Sequence, residues 1–159
     1  MDAFQDKLKG IADEGNSKSE RAKDEVVRVK EEAAKLEQAF VDAAKSIINP
    51  VFAETKEALA DRCQCVTDER EAFLETDYQY THEVALELGP KQGGPTPIGP
   101  APFPRLSFRL RKYDHKVEVA VDHVRRSRAC SPQELQIGDI TKEKINAIVT
   151  AFVTDILNP

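Results

Sequence analysis

The sequence predicts an α+β fold: a long N-terminal helical, coiled-coil-like arm, a small antiparallel sheet of three to four strands, and a C-terminal amphipathic helix packed on that sheet. Three observations predict it. Apolar residues from Val26 to Ile47 recur in steps of three and four. From Tyr78 the period falls to two. From Thr141 the helical period returns with a broad apolar stripe. At 159 residues the chain is expected to hold an arm, 1–49, and one small α+β domain, 50–159, with a Pro/Gly-rich loop at 89–104 inside it.

The arm begins with Phe4, Leu8 and Ile11. Gly15-Asn16 is expected to interrupt it, and Ser17 with Glu20 forms a capping box that predicts a second helix start. Val26, Val29, Ala33, Leu36, Phe40, Ala43 and Ile47 then form a heptad seam. The opposite face is almost wholly charged, so the helix needs a partner to be stable. Val26, Val29, Leu36, Phe40 and Ile47 are the candidate oligomerisation residues, with a homodimer the simplest assembly. Asn49-Pro50 is expected to end the helix. A shorter helix from Val51 would fold back, with Phe52 and Leu59 against the arm.

Residues 63–76, CQCVTDEREAFLET, allow two readings. Val66 and Phe73, seven apart, favour a helix end followed by irregular chain. Cys63–Thr67 as a short strand is the alternative. In the next segment Tyr78, Tyr80, His82, Val84, Leu86 and Leu88 share one strand face, and Gln79, Thr81, Glu83 and Glu87 share a wet one.

Two further strands can be placed in register. With the turn at Tyr113-Asp114, Leu110 faces Val117, Phe108 faces Val119 and Leu106 faces Val121. On the other face Arg109 meets Glu118 and Arg105 meets Asp122, while Arg111 opposite Lys116 is the one poor match. Apolar and ionic pairs agree on a single register. Ser131-Pro132-Gln133-Glu134 predicts a short helical turn. Thr141 caps the last helix, and Ile140 staples to Ile145. Ile145, Ile148, Val149, Phe152, Val153, Ile156 and Leu157 form its core stripe.

The loop from Gly89 to Pro104 holds six of nine prolines and four of seven glycines. It joins two strands that need the same cover, so it reads as an extended connection and not as a domain linker. Pro97-Ile98-Gly99-Pro100 is a PxxP, which makes Pro97 and Pro100 candidate partner-binding residues.

Net charge is −5, yet residues 105–128 hold eight Lys/Arg against three Asp/Glu. Arg109, Arg111, Lys112 and Lys116, with Tyr113 at the tip and Arg125, Arg126 and Arg128 beyond, form a candidate basic face. Cys63 and Cys65 make a CxC with Cys130 far off, which reads as buried thiols before a zinc site. His82, His115 and His123 fall in phase with apolar strand faces. No nucleophile elbow, phosphate-binding glycine loop or metalloprotease motif is present, so no catalytic residues, metal or cofactor are assigned.

The function these features predict is non-catalytic and adaptor-like. The arm would associate, and the domain would present the basic hairpin and the Pro loop to a protein partner. The alternatives are a nucleic-acid-binding module using the hairpin, and a small-molecule or metal-binding domain with a pocket lined by Tyr78, Tyr80 and His82. No run is long and apolar enough to span a membrane, and an odd, small cysteine count suits the cytoplasm.

Overall fold

Helix-forming residues run almost unbroken from the N-terminus, and one helix results: α1, Ala3–Ala43. The structure, a computed structural model, describes residues 3–71, 79–91, 98, 101–124 and 133–158. The expected interruption at Gly15-Asn16 does not occur. An isolated glycine costs a helix about 1 kcal/mol, which does not break a chain whose neighbours all favour helix. The Ser17–Glu20 box therefore lies inside a turn instead of starting one.

Nor does Pro50 end the helix. A π-helical segment, Ala44–Ile48, leads straight into α2, Asn49–Ala58, with helical dihedrals at both junction residues. The Asn49 N–H donates to the Ala44 carbonyl, one residue beyond the α-helical acceptor. The wider turn makes room for the Pro50 ring, which would otherwise press on the carbonyl four residues back. The expected fold-back of α2 is thus corrected. Phe52 meets the sheet, its ring 6.0 Å from that of Phe108.

The sheet is larger than expected. Among the described residues it has five strands: β1 (Cys63–Glu71), β2 (Tyr80–Pro90), β3 (Arg105–Arg111), β4 (Val117–Asp122) and β5 (Gln133–Leu135). All neighbours are antiparallel, and the order in space follows the order in the chain. The β3–β4 register is the expected one at every named pair. Helix end and irregular chain at 63–76 is corrected to a strand through Glu71, and the helical turn expected at Gln133-Glu134 is a short edge strand. A 3-10 turn, Ile137–Asp139, precedes α3, Lys142–Leu157. The Thr141 side chain accepts from the Lys144 N–H at 3.2 Å, as the cap requires.

The chain divides into two units, Met1–Lys35 and Leu36–Pro159. In the first, every described side chain from Ala3 to Glu32 is exposed. In the second, one sheet face carries Val84, Leu86, Leu88, Leu106, Phe108, Leu110, Val117 and Val119. Phe40, Ile48 and Phe52 from one helical segment and Ile145, Val149 and Phe152 from α3 bury it. Each such large side chain taken from water stabilises by roughly 1.5–3 kcal/mol. β2 and β3 pair directly, so the Pro/Gly stretch joins neighbouring strands of one sheet. Ile98, from its middle, is buried with the core.

Candidate interaction surfaces

The helical seam meets two environments. Phe40 is 1% exposed and Ile47 packs beside it against the core of the second unit. Their apolar surface is covered by their own chain. Val26, Val29 and Leu36 remain 53%, 52% and 40% exposed, and Phe4, Leu8 and Ile11 are exposed as well. Charged neighbours support the helix locally, through Lys18–Glu14 at 3.2 Å and Arg28–Glu25 at 2.5 Å. Exposed pairs of this kind add a few tenths of a kcal/mol at roughly 0.2–0.5 each, too little to replace a buried face.

The second surface is the sheet face away from the core. Four of its described cations, Arg105, Arg109, Arg111 and Lys116, are already matched. Glu83, 3% exposed, accepts from Arg105 with one carboxylate oxygen and from Arg109 with the other, both at 2.6 Å. Arg105 also reaches Asp68 at 3.2 Å, and Arg109 reaches Asp122 at 3.3 Å. Arg111 holds Asp114 at 2.7 Å and Glu134 at 2.6 Å. Lys116 lies 3.9 Å from Glu134. Six carboxylates, Glu87 included, thus stand within ion-pair range of four cations.

Of the eight cations in these 24 residues of sequence, Arg105, Arg109, Arg111 and Lys116 do not by themselves make a positive patch, because adjoining strands and the β3–β4 turn bring acids to them. A phosphate approaching Arg109 would have to displace a buried carboxylate.

The guanidinium pKa values follow the same geometry. Burial opposes the charge on Arg105 and Arg109, but hydrogen bonds to Glu83 outweigh it and hold both above the ordinary value. Hydrogen bonding to Glu134 raises Arg111, with Asp114 adding. Glu134 is lowered by the Arg111 hydrogen bond. Partial burial works against the charge on Asp114, but the Lys116 N–H and Arg111 outweigh it and lower that carboxyl too. Lys112 and Tyr113 sit at the exposed hairpin tip, Tyr113 72% exposed with the Arg111 guanidinium 5.3 Å over its ring.

Sequence reasoning missed Glu83 as the hub of this face, although its position opposite Arg109 in the β2–β3 register was the available signal. It also misplaced Tyr80. A bulge between Tyr80 and His82 inserts an extra residue in β2. Tyr80 therefore joins the polar face, its hydroxyl donating to Glu118 at 2.9 Å under Arg109. His82 stays on the core side, its ring centroid 6.2 Å from that of Phe40. Tyr80 and His82 cannot line one pocket.

Pro97, Pro100, Tyr78, Cys130, Arg125, Arg126 and Arg128 lie outside the described residues. Cys63 and Cys65 are free, buried thiols on one side of β1. They line an open cleft of about 470 Å³ with Lys56, Gln64 and Lys91. Burial pushes the Cys65 thiol up to about 12, with Cys63 adding to the shift. Both thiols are thus neutral near pH 7 and poor nucleophiles. Among the described residues no group of three or more His, Cys, Asp or Glu is arranged to hold a metal ion, and no helix is long and apolar enough to cross a membrane. No protein-family model, curated protein or solved structure matches the chain.

Proposed function

We propose that this chain is a non-catalytic assembly protein that associates through the exposed face of α1. The single observation that supports the reading is the row of large apolar side chains, Leu8, Ile11, Val26, Val29 and Leu36, left 40% to 58% exposed on a helix whose same face is buried from Phe40 onward. Exposed apolar surface on that scale is a marker of association. The sheet unit would present the hairpin tip, Lys112 and Tyr113, and the Pro97–Pro100 segment to a protein partner. Two free buried thiols suit a reducing, cytoplasmic compartment.

The acid surplus around Arg105, Arg109 and Arg111 favours a protein partner over nucleic acid, because phosphate affinity rests on unneutralised cations. Light scattering behind a sizing column, from low to high micromolar protein, tests the reading. The expected mass is that of an oligomer, reduced to the monomer by Val26→Asp with Val29→Asp. A wild-type monomer at every concentration would overturn it.

A further inference from the structure

The exposed face of α1 has a symmetry of its own. Its seam runs through Leu8, Ile11, Gly15, Lys18, Ala22, Val26, Val29, Ala33 and Leu36. The steps are 3, 4, 3, 4 up to Ala22 and 3, 4, 3, 4 when read back to it from Leu36. The spacing is the same in both directions about Ala22. Eight steps cover 28 residues, or 3.5 residues per step, the repeat that keeps a seam facing a second helix.

Resting on the association reading above, we propose that the occupant of this face is a second copy of the same chain, lying antiparallel, with the two-fold axis at Ala22. In that register Lys18 meets Val26 of the second copy, Gly15 meets Val29, Ile11 meets Ala33 and Leu8 meets Leu36. A small residue faces a large one in two of these layers, Gly15 with Val29 and Ala33 with Ile11. The Lys18 stem covers Val26 while its ammonium reaches solvent, where it already pairs with Glu14. A parallel pair would set Lys18 against Lys18 and Gly15 against Gly15, placing like charges together beside a void.

The flanks are compatible with this arrangement and do not choose the orientation. Arg21 comes opposite Glu25 of the second copy, twice by symmetry, at the centre of the contact, and Glu14 comes opposite Glu32, beside the Lys18 ammonium 3.2 Å from Glu14. A parallel pair would set Glu25 against Lys30 and Glu32 against Glu37, the same balance. The orientation rests on the seam, where the antiparallel register keeps Lys18 from Lys18 and Gly15 from Gly15.

Thiol cross-linking decides it. Ile11→Cys and Ala33→Cys are made singly in a Cys130→Ser chain, both at positions where the helix tolerates a small thiol. The two proteins, one carrying a mass tag, are mixed under air oxidation, and the disulfide is located by peptide mapping. The expected product is the mixed dimer, bridged from position 11 of one chain to position 33 of the other. It should exceed the dimer bridged between the two Ile11→Cys chains by about tenfold or more, because a disulfide does not form between Cα atoms more than about 7 Å apart. A predominant bridge between two Ile11→Cys chains, with a dimeric mass, would overturn the antiparallel arrangement and leave association through α1 standing. Dimeric mass with neither cross-link would remove this face as the contact. A monomeric mass would overturn the association reading itself.

Discussion

One apolar stripe on one helix behaves in two ways. Beyond Leu36, Phe40, Ala44 and Ile48 are buried to within 4% of complete cover. Before it, Val26 and Val29 are more than half exposed. The side chains are of the same kind, although the step changes from alternating three and four to four and four through the π-helical segment. What decides their cover is the supply of complementary surface. The second unit brings five strands and α3 to its end of the stripe, whereas the first unit has none within its own residues. Helical periodicity therefore identifies a face that must be covered and is silent on what covers it.

The sharpest way to break this contrast is to truncate one residue on each side of it. Phe40→Ala should destabilise the second unit by about 3–5 kcal/mol, the range for emptying a fully packed aromatic site, read from urea unfolding followed by sheet signal. The next effect belongs to the polar face. Glu83→Ala leaves Arg105 and Arg109 without their shared acceptor. Because both arginines keep partial solvent contact, a loss of about 2 kcal/mol is expected, below the full cost of a broken buried pair.

Acid should act on the same face through Asp114 and Glu134. Both carboxyls have folded pKa values below their ordinary ones. Their stabilisation is therefore complete above the usual carboxylate range, about pH 4–5, and is lost as pH falls through the lowered folded values. An Arg111→Gln chain should show a shallower fall of stability between pH 5 and 3, about those same carboxylate values, than the parent; equal slopes would remove Arg111 as the cause.

In the first unit the effects are smaller. Gly15→Ala meets no atom within 4 Å and should strengthen the helix by about 1 kcal/mol, seen as helical circular dichroism persisting to higher temperature. Val29→Ala, at dilutions where the chain is monomeric, should change stability by no more than about 0.5 kcal/mol. A drop comparable to that of Phe40→Ala would mean the face is covered within a single chain.

The parts that sequence made legible are those where independent signals coincide. Leu106, Phe108 and Leu110 alternate with Arg105 and Arg109, and their partners across the turn alternate in apolar and acidic residues. Only one register satisfies both sets. β1 offered no such agreement. CQCVTDERE turns only Cys63 and Cys65 inward before becoming fully polar, as an edge strand can. Gln133–Leu135 is too short to show a period, and its capping-box spelling describes local preference that pairing with Val117–Val119 overrides.

The polar face was half legible. Register put Arg109 opposite Glu118, but side chains choose acceptors diagonally and from the next strand, and Arg109 takes Glu83 and Asp122 instead. A bulge leaves no trace in an alternating pattern, so the side on which Tyr80 lies could not be read.

The strand order has a consequence for how this unit reaches its native state. Every strand pairs with its neighbour in the chain, so no segment must thread past another and most closures are short. The longest interval between paired strands is the stretch from Pro90 to Arg105. Closure entropy grows only logarithmically, about 0.6 kcal/mol for each doubling of length. Residues added to that stretch should therefore leave the sheet standing and slow its assembly little, whereas shortening it through Ile98 would empty a core site. An inserted tag or a grafted peptide is expected to be accommodated in the proline-rich connection as long as Ile98 keeps its seat.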